Sequence, residues 1–342
     1  MIYINLLIVF LIIVGIHEYG HYLSARLFGA KVTDFSIGFG KPIYQFKDKR
    51  GTNWRISPIP LGGYVKIKGL ENIFQKNQDY EEGSFQSLNL YKKIIILLAG
   101  SVFNIFSAWI VLFLFYFLIG IKTLSPEIGD VLKDSPAYDA DIKKGDVILS
   151  INSMKVSKFS DIPNIIKDNE FIDVKILRNN TILNKNVKLE FDYKLNRKII
   201  GITSTANLII DRYNFSKSLL ESFLFIPNYY YLSYSFLIKS FNENNLTNQL
   251  AGPIGIVKMA DQMMLDKIGG VLLLFVIISL FVGLFNLFPI PLLDGGHIIY
   301  FIIHRIFSNS LPEFVTRIYL IIGISIISFL FIVVTLNDIF YK

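Results

Sequence analysis

Apolar residues fill this chain in four long blocks, and polar residues collect between them. Ile2–Leu27, about Ile94–Ile121 and about Phe314–Leu336 are near-continuous apolar runs. As helices rising ~1.5 Å per residue, each is long enough to cross a hydrocarbon core of about 30 Å. A fourth block starts near Gly269, runs through Val271–Phe288 into Pro289, and resumes toward Ile303. Residues 54–68 and 126–202 differ: short apolar stretches alternate there with Gly, Pro, Asn and Asp, the pattern of strands and turns. The pattern predicts an α-helical polytopic membrane protein with four transmembrane helices and a β-rich domain. Residues 1–29 form the first helix, 30–93 a loop with a β segment at 54–68, and 94–121 the second helix. The β-rich domain spans 126–202, an amphipathic region 203–268, a broken third helix 269–303, and a fourth helix 314–337. Leu219–Ile238 is apolar enough to compete as a fifth span, but Glu221, Pro227, Asn228 and the run of tyrosines favour an interfacial segment.

Composition agrees with a bilayer protein. Of 342 residues, 52% are hydrophobic and only 18% charged, too apolar for an ordinary soluble chain. There is no cysteine, which removes disulfides, thiolate metal ligands and a cysteine nucleophile. A net charge of +7 would suit nucleic acid, but the charges are dispersed and no nucleic-acid motif is present, so no such partner is expected. The charge is better read as topology. Residues 30–93 hold eleven Lys/Arg against six Asp/Glu, whereas 122–269 hold nineteen against seventeen. The first loop is therefore expected to be cytoplasmic, with both termini and the long 122–269 segment outside. Arg305 and Arg317, between the last two spans, then fall inside as well. The N-terminal run lacks a basic leader and an A-x-A-like cleavage site, so it is read as a retained helix rather than a signal peptide.

Within that first run stands His17-Glu18-Tyr19-Gly20-His21. Charged and titratable side chains at bilayer depth are costly and mark functional sites. On a helix, imidazoles at i and i+4 share a face and can hold one Zn²⁺, with the intervening Glu placed for acid/base work. His17 lies roughly 22 Å from the outer end of its helix, so the site is expected inside the membrane, nearer the cytoplasmic face. A catalytic zinc takes a third protein ligand, and with four histidines and no cysteine the choice is narrow. Asn286-Leu287-Phe288-Pro289-Ile290-Pro291-Leu292-Leu293-Asp294-Gly295-Gly296-His297 breaks the third span with two prolines and two glycines. Irregular backbone at that depth is tolerated only around a cavity, and Asp294 sits in the break. His297 is the rival ligand, ranked second.

These two motifs together strongly resemble the site-2 protease family, in its bacterial RseP-type members. The resemblance extends over most of the chain. Pro60-Leu61-Gly62-Gly63-Tyr64-Val65-Lys66 looks like the family's membrane-dipping β segment, and Gly100-Ser101-Val102-Phe103-Asn104 like its G-x-x-x-N motif, with Ser101 where Pro is frequent. Gly252-Pro253-Ile254-Gly255-Ile256 matches the segment leading into the third span. The resemblance implies His17, His21 and Asp294 as ligands of one Zn²⁺ per chain and Glu18 as catalytic acid/base. It implies Asn286, Gly62, Gly63 and Asn104 as substrate-binding positions. It also implies a multi-pass protein of the bacterial cytoplasmic membrane that cuts single-span proteins during regulated intramembrane proteolysis. Anti-sigma factors and signal-peptide remnants are then the expected substrates, after an upstream site-1 protease has trimmed them. Helical substrates tie up their carbonyls, and residues 54–68 suggest a short hairpin whose open edge could pair with an unwound segment.

Ser135-Pro136-Ala137 through Gly145-Asp146-Val147-Ile148 to Asn152 is similar to the core stretch of a PDZ domain, with Asp141 at a usual glycine position. One extracytoplasmic PDZ unit is expected, excluding bulky substrates by size or binding peptide. Two other functions compete. A proteolytically silent adaptor with structural zinc has no use for Glu18, and a metal transporter has no use for a PDZ unit.

Overall fold

The computed structural model describes residues 2–70, 81–193, 197–242, 268–307 and 312–340; Gly252–Ile256 and part of the 203–268 region lie outside them. Its helices are α1 (Ile2–Leu27), α2 (Leu90–Leu114), α3 (Pro136–Asp139), α4 (Ile162–Ile166), α5 (Phe215–Asn242), α6 (Ile268–Phe285), α7 (Asp294–Ile306) and α8 (Glu313–Phe340). Contacts divide the chain into two compact units, Met1–Phe115 with Ser216–Lys342, and Tyr116–Phe215.

Among the described residues, four helices are long and apolar enough to cross a membrane: Ile4–Leu27, Leu90–Ile119, Ile268–Phe285 and Phe314–Asn337. With lipid no less apolar than leucine, such helices associate where small residues let backbones close up. Gly20 does this for α1: a Cβ there would lie 2.5 Å from the Ala99 carbonyl oxygen of α2. Gly283 does it for α6, where a Cβ would meet Ser101 O at 3.2 Å, and Ser279 Oγ donates to Asn104 O at 2.9 Å. Asn89 caps the start of α2 by accepting from Lys92 N at 3.2 Å. α5 is outside the four. Its Tyr229 and Tyr230 hydroxyls donate to Ile277 O and Leu280 O, at 3.4 and 3.2 Å, holding it against the middle of α6.

Between α1 and α2 lie strands β1 (Val32–Phe39), β2 (Tyr44–Lys47), β3 (Asn53–Ile56) and β4 (Ile59–Ile67) in the order β2-β3-β1-β4. The hairpin expected over 54–68 is corrected here, because β3 and β4 are not neighbours. β1 runs between them, parallel to β3 and antiparallel to β4. Val32 and Phe35 of β1 are buried with Tyr22 and Ala25 of α1, Ile96 of α2 and Tyr300 of α7. Ile67 of β4 joins the same core, and β1 takes the middle of the sheet with β4 at one edge among the described residues.

In the second unit, β5 (Ile121–Leu124), β6 (Ile128–Val131), β7 (Val147–Ile151), β8 (Met154–Lys155), β9 (Phe171–Arg178), β10 (Thr181–Lys188), β11 (Glu190–Asp192), β12 (Arg197–Ile199), β13 (Ile202–Ser204) and β14 (Leu208–Asp211) surround α3 and α4. Four of them form the sheet β10-β9-β7-β8. Its inward residues Ile148, Ile151, Val174 and Ile176 join Ile128 and Ala137 in one core. The unit is longer than 126–202, because β5 pairs with β14 outside those limits. Asp141 takes the left-handed conformation at φ 54° that its position demands, with Arg178 donating to its carbonyl at 2.7 Å.

Asp146 is the charged anchor of this unit, 1% exposed. It accepts Arg178 Nε at 2.7 Å, Arg178 Nη2 at 2.8 Å and Lys143 N at 2.8 Å. Burial by itself would raise its carboxyl, but these donors outweigh burial and hold it below the usual carboxylate range. A lowered folded value gives stability that is complete above the unfolded pKa of about 3.9 and is lost as pH falls through the folded one. Asp146→Ala should destabilise the unit by about 2–3 kcal/mol, the scale of lost charged hydrogen bonds. Thermal unfolding at pH 7 and pH 3 measures it: the gap between wild type and mutant should narrow at the lower pH.

Candidate metal centre

One helical turn of α1 puts His17 and His21 side by side, both 7% exposed, with their Nε2 atoms 3.2 Å apart. Asp294 Oδ2 completes a triangle, 3.2 Å from His17 Nε2 and 3.3 Å from His21 Nε2. Ligand atoms at tetrahedral corners ~2.0–2.1 Å from a zinc ion stand roughly 3.3–3.4 Å apart, so the triangle has the right size. The protonation pattern also fits. His21 Nδ1 lies 2.8 Å from the Ile96 carbonyl, which can only accept, so Nδ1 carries a proton and the neutral ring directs the lone pair of Nε2 inward. Asp294 Oδ2 is buried with no hydrogen-bond donor among the described residues. Three converging acceptors suit a cation, and three protein ligands leave a fourth position for water.

The broken helix puts Asp294 there. α6 ends at Phe285, and Pro289 and Pro291 prevent its continuation. Leu293 N bonds Ile290 O at 3.1 Å across Pro291 and Leu292, and Leu292 has φ 80°. This matches a type II turn with Pro at its first central position and, at the second, a leucine where glycine is the usual residue. Gly295 N then donates to Asn286 O at 2.8 Å, tying the break to the first turn of α7. Neither Gly295 nor Gly296 can be enlarged: a Cβ would lie 2.5 Å from Phe288 O at Gly295 and 2.6 Å from the Ile290 carbonyl carbon at Gly296. Asp294, in that first turn, sits at the positive end of the α7 dipole.

The expected residues separate by place. His17, His21 and Asp294 converge as a possible metal-holding group. His297 is held apart, its Nδ1 2.9 Å from Leu293 O of its own turn. Glu18, half-buried, faces the edge strand: a Cβ on Gly63 would stand 3.5 Å from Glu18 Cγ, and the Val65 backbone bonds the Glu18 carboxylate. Gly62 adjoins it at φ 150°, packed on Phe39. Asn286 is fixed through its backbone to Gly295, and Asn104 is fully buried behind His17, with Nδ2 3.4 Å from His17 Nδ1. Sequence reasoning gave Gly100 no role of its own. It lies directly against both imidazoles, where a Cβ would be 2.7 Å from His17 Cε1 and closer still to His21 Nε2. Its position in G-x-x-x-N was the available signal.

Residues 5–330 match peptidase family M50. The chain belongs to that family. Relatives named as zinc metalloproteases resemble it over nearly their whole length. One from Rickettsia conorii is 33% identical over 98% of both chains. One from Helicobacter pylori strain J99 is 33% identical over 98% of this chain and 97% of its own. A third, from Campylobacter jejuni, is 31% identical over 94% and 89%. The crystal structure of a PDZ domain from an SdrC-like protein of Listeria monocytogenes aligns with 25% of this chain and 94% of its own, at 20% identity and a TM-score of 0.22, which assigns no fold. This M50 peptidase is thus a metalloprotease of the site-2 protease family, with four apolar helices of spanning length among the described residues.

Proposed function

We propose that this M50 peptidase is an intramembrane endopeptidase that holds one Zn²⁺ on His17, His21 and Asp294 and cuts the transmembrane segments of single-span proteins. The observation that carries the reading is the donor triangle beside Glu18, which itself faces the edge strand. Zinc, when bound, supplies the Lewis acidity that activates water and polarises a carbonyl. Glu18 takes a proton from the attacking water as the new C–O bond forms. It returns that proton to the leaving nitrogen as the C–N bond breaks. The edge of β4 presents main-chain groups to an unwound substrate segment and so places a scissile carbonyl beside Glu18. Asn286 is proposed to contact that segment. The charge pattern supports a cytoplasmic sheet and an outer β-rich unit, in a bacterial cytoplasmic membrane.

In vesicles, purified protein should hydrolyse a fluorogenic transmembrane peptide, lose turnover on chelation and regain it with Zn²⁺. A substrate bearing a bulky outer domain should be cut only after trimming, if the β-rich unit acts as a filter. Turnover that survives chelation would refute the zinc reading, and equal cutting of both substrates would remove the filter. The clamp has its own test. At Gly63 a Cβ would meet Ser36 O at 2.7 Å and Val14 Cγ1 at 3.2 Å, so Gly63→Val pushes β4 away from α1. Turnover should drop by roughly 10²-fold, the cost of a misplacement near 1 Å, with zinc content unchanged.

A further inference from the structure

We propose that Asn104 is a positioning residue for the metal ligand His17, through its side-chain amide; the inference rests on the zinc reading above. Three positions on one face of α2 meet the two imidazoles. The Ile96 carbonyl holds His21 Nδ1 at 2.8 Å, Gly100 leaves room for both rings, and Asn104 reaches His17 Nδ1 at 3.4 Å. They are spaced four residues apart, so successive turns of one helix supply an acceptor, a clearance and a second polar group.

His17 directs Nε2 at the donor triangle, so in the metal-holding tautomer its Nδ1 carries the proton and needs an acceptor. In the structure Asn104 turns Nδ2 toward Nδ1, while its Oδ1 is buried without a donor among the described residues. Two donors repel. A half-turn of the amide exchanges oxygen and nitrogen within nearly the same volume and brings the acceptor to the Nδ1 proton. The backbone there does not drift, because Asn104 O accepts both Ser279 Oγ and Ser107 Oγ at 2.9 Å. With no exposed surface, Asn104 acts on the ligand rather than on substrate. The G-x-x-x-N spacing thus acquires a physical meaning: glycine admits the rings and asparagine, one turn on, orients one of them.

The test is zinc affinity of the full-length protein in detergent, measured by competition with a chromogenic chelator, together with the visible spectrum of the Co²⁺-loaded protein. Asn104→Leu keeps the shape and removes the acceptor, and should weaken zinc binding 10- to 100-fold and shift the Co²⁺ bands, the usual effect of losing a ligand's outer partner. Asn104→Asp keeps the acceptor and should stay within a few-fold of wild type. Wild-type affinity in Asn104→Leu, or equal losses in Leu and Asp variants, would overturn the proposal. Should Asn104→Leu not fold, Asn104→Ser, too short to reach Nδ1, decides in the same way. If wild-type protein binds no zinc, or Asp294→Ala binds it normally, the metal reading itself has failed instead.

Discussion

Glu18→Gln should reduce peptide hydrolysis by roughly 10²- to 10⁴-fold, the range for a lost general acid/base, and leave zinc bound. Glutamine has the same length and keeps an oxygen for the Val65 backbone, so the local fold has no reason to change. It cannot accept the water's proton. Because Glu18 is outside the triangle of His17, His21 and Asp294, the ion should remain. Elemental analysis alongside turnover separates the outcomes: activity near wild type removes Glu18 from the chemistry, and loss of zinc makes it a ligand or a structural support.

The second large effect is expected at a residue with no functional group. Gly100→Ala adds one methyl, 2.7–2.8 Å from Cε1 and Nε2 of His17 and tighter still against His21. Neither ring can retreat freely, since His21 is bonded to Ile96 O and His17 abuts Asn104. Overpacking of this kind costs about 1–3 kcal/mol, and part of it must appear as displaced imidazoles. Zinc affinity and turnover should therefore fall together, by more than tenfold, while the Tyr116–Phe215 unit unfolds at its usual temperature. Normal zinc binding in Gly100→Ala would show that α1 and α2 can separate without disturbing the centre.

Some of this was legible in the chain and some was not, for physical reasons. H-E-x-x-H fixes its own geometry, because i and i+4 share a helix face whatever surrounds them. Asp294 announced itself through Pro289, Pro291 and the paired glycines, which no continuous span would carry. The choice between Asp294 and His297 needed coordinates, since both lie within one turn and only the structure shows Asp294 against the two imidazoles and His297 Nδ1 against Leu293 O. The sheet was misread for a different reason. Nothing local in Trp54–Lys68 shows that Val32–Phe39, earlier in sequence, lies between its two strands. Gly100 and Asn104 were recognised as a pattern, but their work lies on another helix, and no periodicity in α2 records what α1 brings to it.

If substrate pairs with the edge of β4 as proposed, that edge has a consequence for what can be cut. A strand edge meets its partner through amides and carbonyls that every residue possesses, so side-chain identity contributes little there. The deciding quantity becomes how cheaply a stretch of the incoming span surrenders its own coil. Gly, Asn or Pro near the cleavage point should therefore matter more than any consensus letter, and the set of severed proteins should share fragility rather than sequence.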